Sequence, residues 1–304
     1  MILAEIDRRE VRRRLRTNGL RLRIGPLVAE VRSSLDAIDD AIGWHYGDYK
    51  VADNDEFADF HVSIRTTGVV RRYIRPKVIF SFDGREPFKP LPASQAFPLL
   101  EWGLNWCIST QCHQYLIIHA AVVETGGQAI LLPAPPGSGK STLCAALVAR
   151  GWRLLSDELA LIDVQNGNLT AMPRPISLKN DSIAAISQFW RDASLSPPIH
   201  GTVKGTIAHA RVPRRSVEDA ERRAVPRWVI IPRYGAGLPT TLDAIPKASA
   251  FMQLVENAFN YSVHGRAGFE VIADVVQRCE CRSLTYGGSL EEAISRVDGL
   301  AAPP

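Results

Sequence analysis

The chain has 304 residues, 46% of them hydrophobic and 22% charged, with a formal net charge of +4. Such a length and apolar fraction suffice for two hydrophobic cores and exclude a disordered chain, a collagen and a coiled coil. The longest apolar runs, Tyr115 to Val123 and Ala129 to Leu132, fall well short of the ~18 to 20 residues of a membrane helix, so no membrane span is expected.

The positive charge is concentrated at the start. Arg8, Arg9, Arg12, Arg13, Arg14, Arg16, Arg21 and Arg23 face only Glu5, Asp7 and Glu10, a local surplus larger than the net charge of the whole chain. Ile2, Ile6, Val11 and Leu15 are interleaved with them, which predicts a helix with one docked and one solvated face rather than a nucleic-acid grip. Met1 to Arg23 lacks the uninterrupted apolar block and small-residue cleavage site of a secretory signal, and a cytoplasmic protein is expected. Five cysteines, an odd number, read as reduced, buried thiols. Cys279-Glu280-Cys281 is too closely spaced for a zinc half-site, and Cys112-His113 stands alone.

From about Leu22 to Phe82, short β-branched and aromatic runs recur between polar turns; Ala58 to Arg65 alternates cleanly and Val78 to Phe82 ends at Asp83-Gly84. This predicts a small β-rich or α+β unit. After Pro87, Pro90 and Pro92, the run Phe97 to Ser109 reads as a buried helix, with Trp102 and Trp106 four apart on one face for packing. Tyr115 to Val123 and Gln128 to Leu132 then predict two strands joined by Thr125-Gly126-Gly127, Ser141 to Arg150 a helix stopped by Gly151, and Trp152 to Leu155 and Leu159 to Val164 further strands. The charged stretch Arg211 to Arg227 is expected to be an exposed loop. Trp228 to Pro232 is expected to be a buried strand, and Ala248 to Phe259, Phe269 to Cys279 and Leu290 to Val297 are expected to be helices. The alternation places the chain in the α/β class.

Chemistry concentrates at Ala134-Pro135-Pro136-Gly137-Ser138-Gly139-Lys140-Ser141-Thr142, between a strand and a helix. Phosphate oxygens need close backbone N–H donors, a helix amino end and a cation; Pro136 to Thr142 supply all three, with Lys140 reaching the terminal phosphates and the Ser141 hydroxyl suited to Mg2+. Ala134 stands where such loops usually have their first glycine. Asp157-Glu158 follows after a helix and strand of nearly equal span, which returns the pair to the edge where the loop sits if the strand runs parallel. One acid can then serve the metal while the other accepts a proton from an attacking hydroxyl. If Gly126-Gly127 is a two-residue turn, Thr125 faces Gln128 and His119 faces Ala134, at the entrance of the loop. His119 is therefore either a satisfied core residue or a direct participant.

Ile118-His119-Ala120, the loop through Lys140-Ser141, and Arg150 to Glu158 resemble, in order and spacing, the carboxy-terminal P-loop catalytic domain of the HPr kinase/phosphorylase family, more particularly its HPr-kinase-related branch. The likeness is specific from about residue 117 to 164. It implies a domain of that type over residues 111–304 and does not extend to residues 1–110, where the strand pattern predicts an N-terminal α+β domain, expected to serve substrate or partner recognition. It further implies a kinase that passes the γ-phosphoryl group of ATP to a Ser/Thr hydroxyl of a protein or peptide. By that resemblance Lys140 holds phosphates, Ser141 and Glu158 serve Mg2+, Asp157 is the general base, and His119 lies alongside. Related enzymes assemble as hexamers, so a homo-oligomer is implied by analogy. The family's Glu-x-Arg-Gly signature has its nearest match in Thr202-Val203-Lys204-Gly205, where the acid is missing and lysine replaces arginine, so phosphorylase activity is not carried over. Pro246-Lys247 would correspond to the family's basic loop near the phosphates. The alternative reading is a P-loop nucleotide switch or ATPase that transfers nothing and acts through a partner.

Overall fold

The computed structural model describes residues 1–68 and 76–301. The chain divides into two compact units, Met1–Gln111 and Cys112–Pro304, each mixed α and β.

In the first unit, α1 (Arg8–Arg16) starts where the Asp7 carboxylate accepts the Arg9 N–H at 2.8 Å, and it buries Val11 and Leu15. Strands β1 (Leu20–Ile24) and β2 (Leu27–Ser33), helix α2 (Asp36–His45), and strands β3 (Phe60–Thr67), β4 (Lys77–Phe82) and β5 (Leu91–Pro92) follow. The sheet order is β1-β2-β3-β4-β5, parallel only between β2 and β3. Helix α3 (Ala96–Gln111) packs on β4; Gly103 lies so close to the Phe80 ring that a Cβ there would collide with it. Trp106 meets Phe82 and Phe88 edge-on, at 5.9 and 6.0 Å between ring centroids. The arginine-rich start is largely neutralised from within. Arg12 and Arg16 pair with Asp39 and Asp36 of α2 at 2.9 and 2.6 Å, Arg8 pairs with Asp40, Arg13 and Arg14 pair with Glu10, and Arg21 pairs with Glu30.

The second unit begins with β6 (Tyr115–Thr125), β7 (Gln128–Pro133), α4 (Lys140–Ala149), β8 (Arg153–Ser156), β9 (Leu159–Asp163) and β10 (Leu169–Thr170). It continues through β11 (Ile176–Lys179), α5 (Asp181–Phe189), β12 (Ile199–Thr202), β13 (Gly205–Ala210), α6 (Arg214–Glu218) and β14 (Val225–Tyr234). It closes with β15 (Thr241–Ala244), α7 (Lys247–Glu256), α8 (Tyr261–His264), α9 (Arg266–Arg278), β16 (Glu280–Tyr286) and α10 (Leu290–Ala301). The main sheet runs β10-β9-β6-β7-β14-β16-β15, with β8 also on β6, and β11-β13-β12 form a separate three-stranded sheet. Both faces of β6 are covered, as a strand that is apolar almost throughout requires. Leu116, Ile118, Ala120 and Val122 join Ala250, Leu254, Ile272 and Val275 of α7 and α9 in one core. The alternate residues Ile117, Ala121 and Val123 are equally buried, and α4 is among the elements packed on the strand.

The registers on β6 position everything that follows. Thr125 pairs with Gln128 across the left-handed Gly126-Gly127 turn and the antiparallel ladder runs to Ala120↔Pro133. On its other side β6 pairs antiparallel with β8 (Val122↔Ser156) and then with β9 (His119↔Leu159). Asp157 and Glu158 thus interrupt one continuous run along β6 rather than capping a strand end, and β8 points the same way as β7. The ends of β6 and β8 are tied by the buried pair Arg153–Glu124, each side chain 5% exposed. Arg153 also donates to the Asp219 carbonyl at 2.9 Å.

The stretch Arg211 to Arg227 corrects the exposed-loop expectation. It contains α6, whose buried Ser216 accepts the Leu154 N–H of β8 at 3.0 Å, and β14 already begins at Val225. Its charges remain at the surface in pairs, such as Arg214–Glu218 at 2.6 Å and Arg223–Asp163 at 3.0 Å. High polarity therefore coexists with docking, because only one side of the segment faces the sheet. Helix α2 is a further element that the alternating pattern of its neighbours concealed.

Removing one partner of the Arg153–Glu124 pair leaves the other charge buried. Glu124→Ala is expected to lower the stability of the second unit by about 3 to 5 kcal/mol, while the double change Glu124→Leu with Arg153→Met recovers most of the loss; urea titration of the three variants measures both.

Candidate functional site

The strand β7 leaves the sheet at Pro133. Alongside the vacated part of β6, residues 257–259 take its place, with the His119 N–H donating to the Asn257 carbonyl at 2.7 Å and the Phe259 N–H to the Ile117 carbonyl at 2.9 Å. His119 therefore faces this segment and not Ala134 as the hairpin register predicts, because the β7 ladder ends at Ala120↔Pro133. The freed chain, residues 134–139, bends back through Gly137 and Gly139, at φ of +88° and +86°, a region where any other side chain is strained. Two tyrosines brace this bend from the far side. The Tyr286 hydroxyl donates to the Gly139 carbonyl at 2.9 Å, and the Tyr234 N–H donates to the Ser138 carbonyl at 3.1 Å. Helix α4 starts at once with Lys140, so its first unpaired N–H groups and positive dipole end face the bend. Pro136 and Gly137 are exposed, Ser138, Ser141 and Thr142 are half-buried, and the Ser138 hydroxyl oxygen is buried without a hydrogen-bond partner.

Lys140 is 6% exposed and its Nζ has no hydrogen-bond partner. Burial lowers its pKa to about 8, against the opposing pull of Asp157 and Glu158. An ammonium held this way is costly, and an anion seated at the bend relieves that cost.

Continuing the β6 register sets Asp157 and Glu158 across from Ala121 and Ala120, which on their other side hold Leu132 and Pro133 of β7. The acids are therefore two strand spacings, about 10 Å, from the point where the bend begins. Asp157 is 5% exposed; one carboxylate oxygen accepts the Ser177 N–H at 3.1 Å and Oδ1 makes no hydrogen bond of ordinary geometry. Its pKa is pushed up to about 6 by burial and by Glu158, with Lys140, the Ser177 N–H and the Ser141 hydroxyl holding it down. Glu158 is half-buried, and for it burial, which acts upward, is outweighed by Lys204, Lys179, Arg174 and Lys140, so its pKa is lowered.

His119, half-buried, feels Lys140, Glu158, Lys179 and Lys204; burial first and then Lys140 lower its pKa to about 4, so it is neutral at pH 7. Its ring lies 6.0 Å from that of Phe259. Lys140, Ser141, Asp157, Glu158 and His119 thus form one electrostatic cluster, with Thr142 next to Ser141 in the first turn of α4.

The small sheet β11-β13-β12 adds residues that sequence reasoning did not single out: the Ser177 N–H, Lys179 and the buried His209, with Arg174 just before β11. Each is remote from the bend in sequence and carries no spacing signal. Lys204, noted only as a departure from a signature, sits on the turn between β12 and β13, where the Thr202 hydroxyl accepts its N–H at 3.1 Å, and it contributes the largest cationic effect on Glu158. Pro246-Lys247, by contrast, does not serve the cluster. The Lys247 ammonium donates to the carbonyls of Val276 at 2.7 Å, Gln277 at 3.0 Å and Cys279, completing the carboxyl end of α9. All three of its protons are engaged there. The five cysteines are buried and unbridged, and no group of three or more His, Cys, Asp or Glu able to hold a metal ion occurs among the described residues. No helix among them is long and apolar enough to cross a membrane.

A family profile described as ScmC, SynChlorMet cassette protein ScmC, matches residues 103–199, a span containing His119, Lys140, Asp157 and Glu158. No curated protein matches the chain. Among solved structures, the Hpr(Ser) kinase/phosphatase from Coxiella burnetii is similar at 16% identity with a TM-score of 0.27, over 61% of this chain and 97% of that one. It is a distant structural resemblance.

His209 is 1% exposed, and burial lowers its pKa to about 4, with Arg174 and Lys179 adding to the shift and Glu158 opposing it. Its folded value lies below its unfolded one, so its contribution to stability is complete above about pH 6.5 and is lost as pH falls toward 4. His209→Asn is expected to flatten the stability profile across that window by roughly 2 to 4 kcal/mol relative to wild type, as chemical denaturation at a series of pH values reads directly.

Proposed function

We propose that the chain is an ATP- and Mg2+-dependent phosphotransferase that passes the γ-phosphoryl group to a serine or threonine hydroxyl of a protein or peptide. Residues 111–304 would form its P-loop kinase domain of HPr kinase type, and residues 1–110 a domain for recognising the substrate or a partner. The observation that carries this reading is the juxtaposition of a buried, unpartnered Lys140 ammonium at the start of α4 with a buried Asp157 carboxylate that also has an unsatisfied oxygen.

Nucleotide phosphates and a divalent cation fit these residues. The ammonium and the N–H groups of residues 136–142 need an anion, and the carboxylates beside them accept a cation. Mg2+ commonly takes only one or two protein carboxylates and completes its shell with phosphates and water, so Ser141 and Glu158 suffice to hold it. Bound MgATP supplies the transferable phosphoryl group with its charge already partly neutralised.

The residues of the chain then divide the work. The bend and Lys140 hold the phosphates and draw developing negative charge toward the helix start. Glu158, kept ionised by Lys204, Lys179 and Arg174, serves the cation. Asp157, fixed by the Ser177 N–H, accepts the proton of the acceptor hydroxyl. His119, neutral and against Phe259, lies alongside. Burial of the lysine and of the base removes competing water, so positioning contributes most of the rate.

Lys140→Ala is expected to abolish transfer and weaken ATP binding by about ten- to a hundredfold, the loss of a charge-assisted contact. Asp157→Asn is expected to leave ATP affinity within about threefold of wild type and reduce transfer by at least about a hundredfold. Incubation with γ-labelled ATP and host lysate reads both: label on a polypeptide supports transfer, free phosphate alone supports a nucleotide switch, and equal transfer by wild type and Asp157→Asn removes the aspartate from the base role.

A further inference from the structure

The cluster has a direction. The acids lie on the β6 side of β7, whereas β14 and β16 lie on its other side. A triphosphate seated on the bend with its terminal group toward Asp157 must therefore run its α-phosphate and whatever that phosphate carries toward the carboxyl ends of β14 and β16.

Those ends present two tyrosines. Tyr286 is 2% exposed, and its hydroxyl is committed to the Gly139 carbonyl. Tyr234 is 53% exposed, and its ring meets Tyr286 edge-on with centroids 5.4 Å apart. A lone exposed aromatic is ordinary on a protein surface. This one differs in how it is held. Its N–H is bonded to the Ser138 carbonyl of the bend, and its Cβ stands against Gly139. The chain just after it is laced to the end of β16, with the Gly235 N–H donating to the Tyr286 carbonyl at 3.0 Å and the Gly237 N–H to the Gly287 carbonyl at 3.1 Å. Gly287 approaches so closely that a Cβ there would strike the Gly235 carbonyl. The backbone that carries the ring is thus held before any ligand arrives, and Tyr286 supports one edge of the ring, so the ordering cost of stacking on it is reduced. Polar rims with a planar apolar surface suit a heterocyclic base, every face of which is a π-surface.

We infer that Tyr234, supported edge-on by Tyr286, is the platform on which the base of the phosphoryl donor stacks, so that the donor is a nucleotide rather than an inorganic polyphosphate. This rests on the proposed phosphate site. The base is held by its face, and the phosphates are held by the bend and Lys140; the two contributions are separable by experiment.

The test compares binding of MgATP and of inorganic tripolyphosphate with Mg2+ to the full chain by calorimetry. Wild type should bind ATP about tenfold or more tightly than tripolyphosphate, the scale of one base–aromatic stack. Tyr234→Ala should remove that advantage while leaving tripolyphosphate affinity unchanged, which also shows that the variant is folded, and Tyr234→Phe should keep it. Unchanged ATP affinity in Tyr234→Ala, or an equal loss for both ligands, overturns the platform and leaves the phosphate site standing. Wild-type binding of both ligands that survives Lys140→Ala, or no binding of either to wild type, overturns the phosphate site and the platform with it.

Discussion

The structure depends on the way a single strand is hydrogen-bonded on both edges. Ala120 and Ala121 of β6 face Pro133 and Leu132 of β7 on one side and the Glu158-Asp157 break in the β8–β9 run on the other. Backbone hydrogen bonds hold these registers, and a slip of one residue would turn every apolar side chain of β6 to the wrong face. Because both faces of β6 are buried, slippage is costly on either one. The distance between bend and acids therefore follows from the ladder, and the side chains inherit it. The same exit of β7 at Pro133 that creates the bend also opens the edge of β6 that residues 257–259 fill, which brings Phe259 to His119.

Around that frame the charges are arranged unequally. Asp157 is buried and has a raised pKa, while Glu158, its neighbour in sequence, has a lowered one because Lys204, Lys179 and Arg174 surround it. Adjacent carboxylates pushed in opposite directions are suited to different tasks. The cations that make the difference come from β11, the turn between β12 and β13, and the segment before β11, so the small sheet has an electrostatic role as well as a packing one. Lys140 is the counterpart, an ammonium kept from water with no hydrogen bond to offset its desolvation. A folded chain tolerates such a group when the rest of the core supplies the stability, and here the buried centre of the sheet around β6 does so.

Local patterns carried much of this in readable form. The hairpin turn at Gly126-Gly127 and the flanking apolar runs are enough to pair Thr125 with Gln128, and the glycines before Lys140 mark the bend because only glycine adopts its positive φ freely. Polarity alone is a poor guide to exposure in this chain. The stretch Arg211 to Arg227 docks through Ser216, and β14 starts inside it, because a segment with one face on the sheet can remain highly charged on the other. The correspondence of Pro246-Lys247 to a basic loop near the phosphates misleads for a similar reason: its neighbours in sequence do not reveal that the carboxyl end of α9 lies within reach of Lys247. The arginines at the start had a legible docked face, but their partners Asp36, Asp39 and Asp40 on α2 could not be assigned from spacing.

By itself, then, the sequence determined the α/β class, the hairpin register, the bend with its glycines, and the presence of a lysine and two acids at a separation that one helix and one strand could span. These are short-range properties, decided by φ preference, side-chain period and chain length. Tertiary structure alone decided that the acids interrupt a continuous run instead of ending a strand, that Arg174, Lys179, Lys204 and His209 gather around them, and that Tyr234 and Tyr286 brace the bend. Those arrangements arise between residues separated by tens to more than a hundred positions, where contact is set by which faces must be buried and which backbone groups must be paired, and no local pattern records that outcome.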